Sequence, residues 1–195
     1  MLDERRGVSR FDEDGVERAI YALLLAVGED PAREGLADTP RRVARMYREL
    51  FAGLREDPGS VLDTVFAESY DDVVLVRDIS VYSVCEHHLL PFFGKAHVAY
   101  HPKDRRITGL SKLARLVDGV ARRPQVQERL TAEVADTLMA SLRPRGVLVA
   151  VEAEHLCMAM RGVEKPGTTT LTIQSRGTMA VGTAERQETL RRLGW

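Results

Sequence analysis

The run Cys85-Glu86-His87-His88 constrains this chain more than any other stretch. It puts a thiol, a carboxyl and two imidazoles into four residues, after an apolar strand-like run and before Leu89-Leu90-Pro91-Phe92-Phe93-Gly94. The chain has 2 cysteines, and the other, Cys157, also sits near a histidine, in His155-Leu156-Cys157. Cys85, His88 and Cys157 together offer three soft or borderline ligands. Three protein ligands leave a tetrahedral Zn2+ with one open position, which is the catalytic arrangement. A fourth ligand from His87 or His155 would make the site structural instead, and spacing alone leaves that open. A disulfide or two inert thiols is the remaining reading. Water on such a metal has its pKa lowered to about 7, and spare histidines beside it are natural proton carriers. The residues alone thus point to zinc-assisted hydrolysis with histidine acid–base help.

Size and charge narrow the setting. A length of 195 residues fits one domain with a helical extension, and a hydrophobic fraction of 44% supplies an ordinary core. The 28 basic and 29 acidic residues nearly cancel, so nothing general attracts nucleic acid or an anionic membrane. The apolar run Ala19 to Val27 falls well short of the roughly 18 residues a membrane span needs. The start Met1-Leu2-Asp3-Glu4-Arg5-Arg6 lacks a signal-type apolar core. A cytoplasmic location is expected, where paired cysteines are more often thiols or ligands than a disulfide.

Along the chain, residues 1–11 read as a loose polar start. Val16, Ile20, Leu23, Leu24 and Val27 recur at helical spacing, and Thr39-Pro40 opens a second helix running Arg41 to Leu54. Its arginines, Arg42 and Arg45 among them, read on charge pattern alone as a solvated face. Val73–Val76 and Ile79–Val84 predict strand, as does Gly94–Tyr100, with Pro91–Gly94 reversing the chain between them. Gly109-Leu110-Ser111-Lys112 opens a helix with Ser111 as N-cap, and free N–H groups beside Lys112 and Arg115 suit an anion. A helix over Gln125–Leu142 follows, carrying Gln127 and Glu128 in its first turn. Then come strands over Val147–Glu154 and Thr168–Ile173, and a helix over Ala184–Leu193. If the first of those strands persists, its parity puts His155 and Cys157 on one side. The pattern predicts an α+β fold: N-terminal helices over residues 1–60, then a catalytic domain over 61–195 with a four-stranded antiparallel sheet carrying helices on one face. Two open sheet edges invite closure by oligomerisation.

The blocks Cys85-Glu86-His87-His88 with its Leu-Leu-Pro-Phe-Phe-Gly-Lys tail, Ile107 through Leu113, Arg123 through Thr131, His155 through Gly162 and Thr39 through Ala44 resemble the GTP cyclohydrolase I family. The resemblance covers residues 12 to 177 in one register. It implies the tunnelling fold (T-fold), in which subunits join their sheets into a barrel, and a homodecamer built as a dimer of pentamers with active sites at subunit boundaries. It implies that Cys85, His88 and Cys157 bind zinc, and that zinc-activated water attacks C8 of GTP. The imidazole ring then opens, formate leaves, and the rearranged ribose closes to 7,8-dihydroneopterin triphosphate. His87 and His155 would move protons. Glu128, helped by Gln127, would read the guanine edge. Ser111, Lys112, Arg115, Arg161, Arg42 and Arg45 would hold the triphosphate.

Overall fold

The computed structural model describes residues 11–63 and 65–195. The polar start expected before Phe11 lies outside the described residues. Helix α1 (Glu13–Ala26) is capped by Asp12, whose carboxylate accepts from the Gly15 N–H. It pairs with α2 (Thr39–Leu50), which Pro40 opens at an early position where its missing N–H costs no bond. Short 3-10 turns at Ala52–Leu54 and Pro58–Leu62 lead into the sheet. Among the described residues no helix is long and apolar enough to cross a membrane.

Four long strands form the sheet: β2 (Val74–Cys85), β3 (Pro91–His101), β6 (Gly146–His155) and β7 (Thr169–Gly177). They pair antiparallel in the order β2-β3-β6-β7, as the four β-branched runs predict. Two features go beyond that reading. A two-residue strand β5 (Pro124–Gln125) adds to β2 in parallel, making the sheet five-stranded, and β1 (Val65–Ala67) pairs with β4 (Arg106–Thr108) in a separate ribbon. Pro91–Gly94 is not the reversal but the start of β3. The chain turns over residues 86–90, where Leu89 takes a φ of 53° and the Leu89 N–H donates to Cys85 O at 2.8 Å.

Alternation sorts the strands into two faces. Val81, Phe92, Ala96, Val98, Tyr100, Val147, Val149 and Val151 pack against the stripes of α3 (Leu110–Ala121) and α4 (Gln127–Leu142). The opposite face, Ala99, Leu148 and Ala150, is covered by Leu190 and Leu193 of α6 (Ala184–Leu193), so the last helix departs from the expected one-sided arrangement. His101 Nδ1 lies 2.7 Å from the Glu185 carboxylate, and the Trp195 ring meets His97 edge-on at 5.3 Å, which fastens that helix.

At Gly94, which pairs with Ala153, β3 leaves no room for a side chain against β6. A Cβ there would lie 1.9 Å from Glu152 O, a backbone atom that cannot swing aside. Gly94→Ala should therefore destabilise the fold by about 3 kcal/mol, the upper part of the overpacking range, read as a fall in the urea midpoint. An unchanged midpoint would show that β3 and β6 separate freely.

Burial, partly offset by Asp78 and Glu152, holds His97 below the ordinary imidazole range. Its folded pKa thus lies under its unfolded value, so between the two the unfolded chain binds more protons. Stability should be complete above about pH 6.5 and fall as pH drops below it. His97→Gln should flatten that dependence in urea titrations at pH 7.5 and 5.5; an equal slope in both proteins would assign it elsewhere.

Candidate metal centre and active site

β2 delivers Cys85 at its last position, buried at the end of the main core. The backbone closes tightly behind it: Cys85 N–H donates to Leu90 O at 2.8 Å, and Glu86 N–H to Gln125 O at 3.0 Å. The turn presents His87 and His88 outward. Cys157 arrives by a route the strand parity did not predict. β6 ends at His155, and Leu156–Ala159 forms one helical turn, α5, that carries Cys157 back toward β2. Its Sγ lies 3.9 Å from Cys85 Sγ, and the donor atoms of Cys85, His88 and Cys157 all fall within 4.8 Å of one another. Two thiols and an imidazole at that spacing suit a borderline-soft divalent ion. Burial, and then the neighbouring Cys85, push the Cys157 thiol up. A cation between the sulfurs reverses that preference, because a coordinating thiol loses its proton.

His155 pairs across strands with Phe92, and the rings stack at 4.6 Å between centroids. Gln127 decides its tautomer. The Gln127 side chain is buried and its Nε2 donates to Val151 O and Thr170 O at 2.8 Å, with Thr172 Oγ1 at 3.1 Å. Carbonyls only accept, so Oε1 must face the histidine, and His155 Nε2–H donates to it at 2.8 Å. Neutral His155 therefore offers Nδ1 as its base. Burial holds its pKa below the ordinary value, with the Glu128 charge opposing. The Gln127 amide is thus hydrogen-bonded within the chain, to β6, β7 and His155. Glu128, one residue on, is exposed at the start of α4. His87 is exposed, its Nδ1 lying 4.0 Å from Cys85 Sγ. Arg161 donates to His88 Nε2 at 3.2 Å, which puts a guanidinium beside the metal group.

The remaining predicted residues stand apart from this cluster. Gly109, not Ser111, is the N-cap of α3, and Ser111 sits inside the first turn without a capping bond. The C-terminal end of α3 meets the metal end of the sheet, where Ser83 Oγ donates to Ala121 O at 2.7 Å. Twelve residues at the helical rise put Ser111 and Lys112 on the order of 15 Å from that end. Lys112 is held by the Asp63 carboxylate at 2.8 Å, and Arg115 is exposed one turn along. On α2, Arg42 lies 3.5 Å from Asp38, while Arg45 is exposed and makes no ion pair among the described residues. One chain thus joins Cys85, His88, Cys157, His87, His155, Gln127, Glu128 and Arg161, and leaves Ser111 and Lys112 at the far end of α3. Thr172, whose hydroxyl lies 3.1 Å from Gln127 Nε2, belongs to the site's surroundings but carried no motif signal in the sequence.

The profile of the GTP cyclohydrolase I family matches residues 16–194. The chain belongs to that family. GTP cyclohydrolase 1 of Carboxydothermus hydrogenoformans is 58% identical over 183 residues, 94% of this chain and 95% of the relative. GTP cyclohydrolase 1 of Halalkalibacterium halodurans is 58% identical, covering 94% and 97%. The protein of that name from Streptococcus pyogenes is 56% identical over 187 residues, 96% of each chain. The family match runs to residue 194 and so takes in α6, beyond the blocks that carried the resemblance.

Proposed function

We propose that this chain is a zinc-dependent GTP cyclohydrolase I that opens the GTP imidazole ring, releases C8 as formate and forms 7,8-dihydroneopterin triphosphate. The observation that carries the reading is the gathering of Cys85, His88 and Cys157 within 4.8 Å, with His155 held beside them in one tautomer. Family membership supplies the substrate. Cys85, His88 and Cys157 would hold the Zn2+. When bound, the ion supplies Lewis-acid activation of water at neutral pH.

The chain's own residues do the rest. His155, its Nε2–H fixed on Gln127, takes a proton at Nδ1 and returns it during ring opening. His87, with a side chain 65% exposed, exchanges protons with solvent. Glu128 accepts from the guanine N–H edge, as a carboxylate is an acceptor only. Arg161, Ser111, Lys112, Arg115, Arg42 and Arg45 hold the triphosphate.

The separation of Ser111 and Lys112 from the metal within one chain supports a site shared between copies, one giving the metal with Arg161 and another giving Ser111 and Lys112. Leu23, Leu25 and Val27 of the helical pair, 55%, 54% and 70% exposed, are apolar surface that assembly would cover. We read the assembly as a decamer, a dimer of pentamers whose sheets join into a barrel. We read residues 1–60 as an N-terminal extension that carries α1 and α2, and 61–195 as the catalytic domain. Two free thiols 3.9 Å apart suit a reducing cytoplasm.

Metal-replete protein incubated with GTP should release formate and build pterin absorbance together. Neither signal, with zinc and GTP both bound, would overturn the reading. Mixing Lys112→Ala with Cys157→Ser protein under subunit exchange should restore part of the activity that each lacks. No restoration after demonstrated exchange would place every ligand on one chain.

A further inference from the structure

Glu86 and Arg129, 43 residues apart, form an ion pair beside the metal turn, and both halves are registered on one buried residue. Gln125, fully buried on β5, receives the Glu86 N–H on its backbone oxygen at 3.0 Å and the Arg129 Nε–H on its side-chain Oε1 at 2.9 Å. Its amide cannot flip, because Nε2 donates to Val120 O at 3.1 Å and to the Glu133 carboxylate at 3.0 Å. Arg129 Nη2 also lies 3.5 Å from Pro124 O, so the guanidinium is held at two points besides Glu86. The other Glu86 oxygen stands 3.9 Å from His87 Nε2. Without Arg129 the half-exposed Glu86 carboxylate would turn to water, and the 85–88 turn would lose its side-chain tie to α4.

We propose that Arg129 is a positioning residue for this turn: through Glu86 it sets the Cys85-to-His88 geometry and the place of His87. This rests on the reading of the turn as metal and proton-transfer site. An exposed ion pair contributes only about 0–1 kcal/mol to stability, so a fixed geometry of this kind acts on the site rather than on the fold. Lysine keeps the charge but not the fork that joins Gln125, Pro124 and Glu86.

The test compares Arg129→Met, Arg129→Lys and Glu86→Gln with wild type. Zinc affinity is read by competition with a chromogenic chelator, kcat and KM with GTP, and melting temperature separately. Loss of an outer-shell partner of a metal site typically costs about 10- to 100-fold. Arg129→Met and Glu86→Gln should each hold zinc about tenfold more weakly and lose about 10- to 100-fold in kcat by that measure. KM should move little, and Glu86→Gln should leave the melting temperature unchanged. Arg129→Met should lower it modestly because the buried Gln125 Oε1 loses its donor, and Arg129→Lys should fall between. Zinc affinity and kcat within twofold of wild type would overturn the proposal. So would a fall in melting temperature that accounts for both losses, with lysine no better than methionine. A wild-type protein that releases no formate would count against the hydrolytic reading alone, and the chelator competition would still decide Arg129.

Discussion

Cys157→Ser should leave the chain folded while removing its zinc and its turnover of GTP, a loss of about 10³-fold or more, as several kcal/mol of Lewis-acid stabilisation disappear. Cys157 sits partly buried on the single turn Leu156–Ala159, against the edge of the core rather than inside it. Exchanging sulfur for oxygen there changes one atom and replaces a soft ligand by a hard, protonated one. Cys85 is a poorer position for the test, because it is buried in the main core and its replacement would mix folding with metal loss. Elemental analysis for zinc, circular dichroism and formate release on one sample distinguish these effects. A variant that keeps its zinc and its turnover would remove Cys157 from the site.

His155→Phe should do the opposite to the metal and much the same to the rate. Phenylalanine preserves the stacking on Phe92 but has no nitrogen for Gln127 or for a proton. Zinc content should stay at the wild-type level while kcat falls about 10²- to 10⁴-fold, the usual contribution of a positioned acid–base group. The pH dependence carries a sign. Burial keeps His155 below the ordinary imidazole range and Glu128 opposes this, so the neutral, basic form dominates at pH 7. The acid limb of kcat should therefore lie below about pH 6.5, and a bound dication would shift it the same way. Glu128→Gln removes the opposing charge and should carry that limb to lower pH, besides raising KM. A limb that moves upward, or a His155→Phe protein that loses zinc, would contradict this role.

Residue type made the grouping of Cys85, His88 and Cys157 legible, because a Cys-x-x-His run and a second cysteine near a histidine are what a transition-metal site needs. The path by which they meet was not legible in the same way. Strand parity through His155 does not extend to Cys157, since the chain leaves β6 and enters a helical turn at Leu156. Period also failed at β5, because two residues, Pro124 and Gln125, are too few to show one. The hydrogen bonds of the Gln127 amide to the carbonyls of Val151 and Thr170, brought over by β6 and β7, likewise left no sign in the sequence. Long-range ion pairs such as Arg129 with Glu86 and Lys112 with Asp63 leave no spacing signal. The apolar stripe of α1 was legible as a helix face, yet its burial was not: among its residues none is buried in a single chain, which turns the question of its partner into one of assembly.

The central question is whether the Cys85–His88–Cys157 centre is what opens GTP. The most direct measurement is to strip the protein of metal, titrate zinc back, and follow formate release from C8-labelled GTP at each step. Labelled formate should rise in proportion to zinc and level off at one zinc per chain, and Cys157→Ser protein should stay silent throughout. Formate released at full rate by the stripped protein, or by the zinc-free variant, would contradict the account.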